Sequence, residues 1–559
     1  MKRIMRNIIS LLLIVAMLGS CSNTIQNGAA DNQKEINDSQ YLTTDVDDIS
    51  DKDTIKVQIG HNPENLDPAT NSMYECISIL EHLFEGLLKY GQDGELSLGI
   101  AESYKVSSDG LTWSFKLRDN LKWSDGSTLD ANDLVYTWKR VVDPTTAAPY
   151  AYDLLKQVVG YEEASKGNTD ALSVVARDDK TFVVNLESPC AYFDKICAFS
   201  ILSPVKKSIV STNGNWSESA KTYISNGPYY VSNFTRDSVI LKKNKYYYDS
   251  ENITFKEIEY YHDDNEEKTL EMYENGNLQL IKDIPTRTID EIKNRDDFYI
   301  NNMMGTYYIL INLKKSPFDN IKVRKALSLA IDRNYIANTV MHGTYKVARN
   351  FVGPGISDYG DIGFEEKTEK MYNGPFFNND NYENNFEEAK RLLKEAGYEN
   401  GINFPEVRYI VNDEGYNIDV AEQVKLYWSR LGINVKLELY SNSVFSKMRR
   451  SGDFDVARSG WMCDWDDPSN IISVFETFSG HNYGKYSSSK FDQLVKEARE
   501  TTVIEDHYYK LHLAEHVFLE DYAIIPLSYY ETYWLQKQNL KNVRYSPYGI
   551  LYFMNAYFE

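Results

Sequence analysis

At 559 residues the chain is too long for one hydrophobic core, so its length implies two or three domains. A formal net charge of −22 argues against a nucleic-acid partner, because phosphate recognition needs clustered lysine and arginine. Aromatic residues are 13% of the chain and include 43 tyrosines, whose wide contact area and polar tip suit ligands of mixed polarity; a lineage bias toward Tyr, Asn and Ile explains the same count.

The N-terminus reads as a secretory signal. Lys2, Arg3 and Arg6 precede an apolar run at 8–18, far short of the ~20 residues that a spanning helix requires. The run ends in Leu18-Gly19-Ser20-Cys21, which resembles a bacterial lipobox. Segment 1–20 is then a lipoprotein signal peptide, and Cys21 is the lipid-bearing first residue of the mature chain. Acyl chains bind membranes at ~0.8 kcal/mol per buried CH₂, so two or three chains anchor firmly. The competing reading is an ordinary cleavable signal with an incidental Cys. Segment 21–53 is rich in Asn, Asp, Gln, Thr and Ser and reads as a disordered tether.

Beyond the tether, Cys76, Cys190, Cys197 and Cys463 remain. Cys190 and Cys197 could pair outside the cytoplasm, but four cysteines make no disulfide framework, and no spacing suggests zinc. Trp113, Phe115 and Leu117 alternate with polar neighbours, the chain turns at 118–120 and again at 124–126, and the whole reads as a hairpin. Asp130 caps a helix carrying Leu134, Val135 and Trp138. Ala389, Leu392, Leu393 and Ala396 have helical spacing that stops at Gly397. A buried strand at 407–411, a helix from Val420 to a stop at Gly432, and an alternating strand of Val435, Leu437 and Leu439 follow. That order implies a parallel α/β sheet. A helix at 508–519 and a strand at 523–530 come near the end.

Two stretches carry charged chemistry. His512, Glu515 and His516 match the inverted zinc-protease pattern HxxEH, the basis for a secreted zinc hydrolase, although the same span reads as an ordinary amphipathic helix with no good third ligand. The stretch RSGWMCDWDDPSN at 458–470 packs arginine, two tryptophans and three aspartates together. It lacks the central Gly and terminal Glu of a calcium loop. A carboxylate among aromatics can hold an ammonium group, and Arg449 and Arg458 can meet a carboxylate, which together describe the two ends of a peptide. A local salt bridge among these charges explains them equally well. No nucleophile elbow, Walker loop or dinucleotide turn is present in the sequence.

Four stretches carry a resemblance to the family 5 extracellular solute-binding proteins, the oligopeptide-binding components of ABC importers. They are LTWSFKLRDNLKWSDGSTLDANDLVYTWKR (111–140), NGPYYVSNFTRDSVILKKNKYYYD (226–249), VRKALSLAIDRNYI (323–336) and GDFDVARSGWMCDWDDPSN (452–470). The resemblance implies two α/β lobes of periplasmic-binding-protein type, joined by a two-strand hinge, with an extra α/β domain inserted in the first lobe. Lobe I comprises 54–87, 226–304 and the return 526–559; the inserted domain is 88–225; lobe II is 305–525. Apolar runs at 307–313 and 524–530 are of hinge type.

The resemblance also implies the site. Asp464 takes the peptide α-ammonium, the backbone at Gly460 and Met462 pairs with the peptide as an added strand, and Trp461 walls the pocket. Ser72 and Tyr74 supply contacts from lobe I, and Arg458 and Arg449 lie near the peptide carboxylate. Trp465 stands where Tyr is common, and Asp466 and Asp467 make the stretch more acidic, which favours basic peptides. The implied protein is a monomer on the outer face of the membrane that passes peptides to permease subunits, with no cofactor and no catalysis. Dipeptides, haem, nickel, oligosaccharides and peptide pheromones are the alternative ligands.

Overall fold

The computed structural model describes residues 52–58, 60, 63, 65–71, 74–90, 95–360 and 362–559. Cys21, the signal, most of the tether and Ser72 lie outside the described residues, as does the side chain of Tyr74.

Among the described residues, eleven strands form one sheet. Its order runs from Val435–Tyr440 through Val407–Asn412, Val456–Met462, Phe298–Ile311, Ile524–Gln536, Leu280–Ile281, Thr54–Gln58, Glu257–Tyr261 and Ser238–Lys243 to Tyr229–Phe234, with Lys346–Val347 also on Ile524–Gln536. Two neighbours in the middle are unusually long, at 14 and 13 residues, against a usual length of about 5–6. They pair antiparallel in two stretches, Phe298–Asn302 with Glu531–Leu535 and Thr306–Leu310 with Ile524–Tyr529, and the register slips between Asn302 and Thr306. Such a slip bends the ribbon locally.

On one side of the bend Leu535 and Gln536 pair with Leu280–Ile281; on the other, Gly305–Ile311 pairs with Val456–Met462. The two long strands therefore run through both lobes and are the hinge. The boundaries expected at 304/305 and 525/526 fall inside these strands.

Each lobe has its own core. In lobe II, Ile309, Ile311, Val323, Leu327, Val411 and Trp428 pack on one sheet face, and Tyr308, Leu310, Ile410, Phe475, Leu511 and Phe518 on the other. Apolar residues at successive positions of 307–311 are buried because both faces are covered. In lobe I, Ile55, Val57, Leu80, Leu241, Ile258 and Trp534 form the core.

The inserted domain carries an antiparallel sheet, Ala101–Val106, Thr112–Leu117, Thr181–Asn185 and Val174–Asp178. The hairpin expected over 113–123 is not formed. Both edges of Thr112–Leu117 are taken, by Ala101–Val106 and by Thr181–Asn185, so 121–129 closes on itself through a Lys122–Thr128 bridge. The helix expected after Asp130 is Ala131–Val142; the Asp130 carboxylate accepts the Asn132 amide at 2.7 Å, and Leu134 and Trp138 are buried.

Val407–Asn412 and Val435–Tyr440 pair in parallel around the helix Asn417–Ser429. Val435–Tyr440 is a sheet edge, and Leu439 is 49% exposed despite the alternating pattern. Cys190, Cys197 and Cys463 are buried free thiols, and Cys190 Sγ faces Gln157 Oε1 at 3.7 Å.

Candidate functional site

The stretch 458–470 begins in a strand. Val456–Met462 is held on one edge by Gly305–Ile311, whereas Val407–Asn412 covers the other edge only at Val456 and Ala457. Among the described residues, no strand pairs with the second edge from Arg458 to Met462. The Cys463 amide donates to Met304 O at 2.7 Å, toward the covered edge. Antiparallel alternation then turns the backbone groups of Met462 and Gly460 toward the open edge. A Cβ on Gly460 would collide with the Tyr530 hydroxyl, so a larger residue here would have to displace the Tyr530 side chain.

Beyond the strand, Asn470 Oδ1 accepts the Trp461 indole N–H at 2.8 Å and the Asp464 amide at 3.4 Å. Asn470 thus ties the Trp461 ring to the backbone of Asp464. Trp461 also meets His481 edge to face at 5.0 Å. Burial pushes the Asp464 carboxyl up to about 7, the charge of Asp153 adds to this, and hydrogen bonds with Tyr150 and Asn470 act against it. Among the described residues, no cation pairs with Asp464.

The two arginines point elsewhere. Arg458 donates to Asn417 Oδ1 at 3.0 Å and Tyr530 Oη at 3.1 Å, and its guanidinium lies 4.9 Å from the Tyr307 ring centre. Burial opposes its charge, but the surrounding tyrosines outweigh that and hold its pKa above the usual value. Arg449 donates to Ser459 Oγ at 3.3 Å and lies over the rings of Phe445 and Tyr483, and its buried Nε has no partner among the described residues. Burial, then the charge of Arg458, holds its pKa down. A salt bridge between these arginines and Asp464 is thus not what the structure contains. It holds a carboxylate at one end of an open strand edge and two guanidiniums toward the other.

Asp466 and Asp467 do not face the open edge. Asp466 accepts the Ser357 amide at 2.6 Å. Asp467 is fully buried, with His507 Nε2 at 3.0 and 3.1 Å from its two oxygens. They give no ground for a preference for basic peptides.

The HxxEH residues are taken up by packing within the helix Ile504–Glu520. His512 Nε2 is 2.7 Å from Asp358 Oδ2 and its ring stacks on Phe364 at 4.0 Å. Buried Glu515 accepts the amides of Phe351 and Val352 at 3.0 and 2.7 Å, and His516 stacks on Tyr372 at 4.0 Å. Among the described residues, no group of three or more His, Cys, Asp or Glu is placed to hold a metal ion.

Residues 95–483 match the family described as bacterial extracellular solute-binding proteins, family 5, middle. The chain belongs to this family. The oligopeptide-binding protein OppA of Bacillus subtilis is 29% identical over 522 residues, covering 92% of this chain and 94% of that one. The periplasmic oligopeptide-binding protein OppA of Salmonella typhimurium is 32% identical over 497 residues, covering 86% and 88%. The solved structure of Haemophilus influenzae OppA in complex with RPPGFSPFR matches with a TM-score of 0.73 at 29% identity, over 91% of this chain and 99% of that one. The two-lobed family 5 fold with hinge and inserted domain, expected from the resemblance, is the fold observed. Among the described residues, no helix is long and apolar enough to cross a membrane.

Tyr150, Asp153, Asn470 and Tyr530 were missed in the sequence. Asn470 closes the quoted motif and could have been noticed there. Tyr150 and Asp153 come from the inserted domain, and no local pattern ties them to Asp464.

Proposed function

We propose that this chain captures oligopeptides in extended form between its lobes and delivers them to the permease subunits of an ABC importer. The observation that carries this reading is an unpaired carboxylate, Asp464, at the end of an uncovered strand edge. A peptide added to that edge bonds to the backbone of Gly460 and Met462, sets its α-ammonium on Asp464 beside Trp461, and turns its carboxylate toward Arg458 or Arg449. Ser72 and Tyr74 add contacts from lobe I. The names of the relatives and the peptide complex of one of them support the same reading.

Backbone pairing reads most sequences alike, so side-chain preference is weak. Both lobes touch the peptide only when the hinge closes. A peptide that binds the closed form a hundredfold better shifts the equilibrium by about 2.7 kcal/mol. The chain acts as a monomer held to the outer face of the membrane through lipid on Cys21. It needs no cofactor and catalyses nothing.

Asp464 lies six positions after Arg458. At ~3.3 Å per residue that is at most about 20 Å, matching an extended peptide of roughly four to six residues. Calorimetric titration with peptides of increasing length is expected to show tightest binding in that range; no binding at any length would overturn the proposal.

The same titration has a pH signature. Asp464, its carboxyl raised to about 7, must be ionised to hold an ammonium. The peptide α-amine loses its proton near 7.7–8. Affinity is therefore expected to rise toward pH 7 and to fall above about 8, changing by up to about tenfold per pH unit on each limb. A flat profile from pH 5.5 to 9 would contradict the ammonium assignment.

A further inference from the structure

The loop that carries Asp464 is gripped by the inserted domain at four consecutive residues. Tyr150 hydrogen bonds with the Asp464 side chain. The Trp465 ring stacks on Tyr192 at 5.8 Å, nearly parallel at 11°. Lys195, in the short helix Phe193–Cys197, donates to the backbone oxygen of Asp466 and stands 3.7 Å from Asp467 Oδ2. Its third contact is the Tyr508 hydroxyl, at 3.0 Å, on a lobe II helix. The Lys195 side chain is only 15% exposed.

From the other side, lobe II holds the same loop through Ser357 on Asp466 and His507 on Asp467. The loop is thus bridged between two bodies, and one ammonium group ties them.

We propose that Lys195 is a positioning residue for the ammonium end of the peptide site: it pins the Asp464–Asp467 loop to the inserted domain, so that Asp464 and Tyr150 converge on the peptide N-terminus with Asp153 close by. This rests on the peptide-receptor reading above. Lys195 itself does not touch peptide, because its amine is already directed at three oxygens of the loop and the lobe II helix. Among the described residues, the carboxylate it positions makes no ion pair of its own. The inserted domain is accordingly part of the recognition machinery.

The test compares one pentapeptide in free and N-acetylated form against the wild-type chain, Lys195→Met and Lys195→Arg. Methionine keeps the stem and removes the charge and donors; arginine keeps both. Lys195→Met is expected to lower the free-to-acetylated affinity ratio by about tenfold to a hundredfold, the usual scale for losing a supporting partner. Binding of the acetylated peptide stays near wild type, and Lys195→Arg restores much of the ratio.

An equal loss for both peptides, or an unchanged ratio, overturns the assignment. If Lys195→Met does not fold, Tyr508→Phe, which removes one of the amine's partners, is expected to lower the same ratio; an unchanged ratio there also overturns it. A wild-type chain with no preference for the free N-terminus removes the underlying reading itself, which distinguishes the two failures.

Discussion

Asp464→Asn is expected to weaken the binding of a free-N-terminus pentapeptide by about 2–5 kcal/mol, roughly 30- to 4,000-fold. The substitution keeps size and hydrogen bonding and removes the charge that an α-ammonium needs once water is excluded. A second consequence has the opposite sign. Burial and the neighbouring Asp153 raise the Asp464 pKa from 3.8 to about 7. A carboxyl whose folded pKa is raised binds protons more tightly in the fold than in the unfolded chain. Its ionisation therefore lowers folding stability progressively as pH rises from about 4 to 7. Asp464→Asn should then raise the melting temperature of the ligand-free protein at pH 7.5 while it weakens peptide binding. Loss of both stability and binding would mean that Asp464 is a structural acid.

Asp467→Ala is expected to do the reverse, destabilising the fold by about 3–5 kcal/mol, because it leaves a buried cation uncompensated. Asp467 and His507 are both buried and 3.0 Å apart, with Lys195 close by. Burial alone would raise the Asp467 pKa and lower that of His507. Their mutual attraction outweighs it, holding Asp467 below its ordinary 3.8 and His507 above its ordinary 6.5.

The depressed aspartate contributes stability above about pH 3.8, and loses it as pH falls through its lower folded value. The raised histidine contributes fully below about pH 6.5, and loses it as pH climbs through its higher folded value. The pair is therefore worth most between those limits. Urea unfolding at pH 6 and pH 9 checks this: the deficit of Asp467→Ala should be large at pH 6 and smaller at pH 9. A deficit no smaller at pH 9 would argue against a charged pair.

What the sequence made legible was local or repeated in pattern. The capped helix after Asp130, the strand–helix–strand unit from 407 to 440 and the apolar runs of the long strands follow from spacing alone. The motif at 458–470 placed Trp461 and Asp464 together because they share one strand end. Pairing partners were not legible. Turn residues at 118–120 mark an end of Thr112–Leu117, but do not say that Ala101–Val106 and Thr181–Asn185 occupy its two edges.

The HxxEH spacing put His512 and Glu515 on a helix, yet Asp358, Phe351 and Val352, which take up those two side chains, lie some 150 residues away in the chain. Likewise the charges of Asp466 and Asp467 looked available until Ser357, His507 and Lys195 were seen against them. Composition gives charge; tertiary packing decides which charge is left for a ligand.

The central claim is that Asp464 holds the α-ammonium of a peptide, and calorimetry with one pentapeptide, free and N-acetylated, on the soluble chain starting at Asn23 tests it most directly. Tight binding of the free peptide and much weaker binding of the acetylated one is the predicted result. Equal binding of both forms would contradict it.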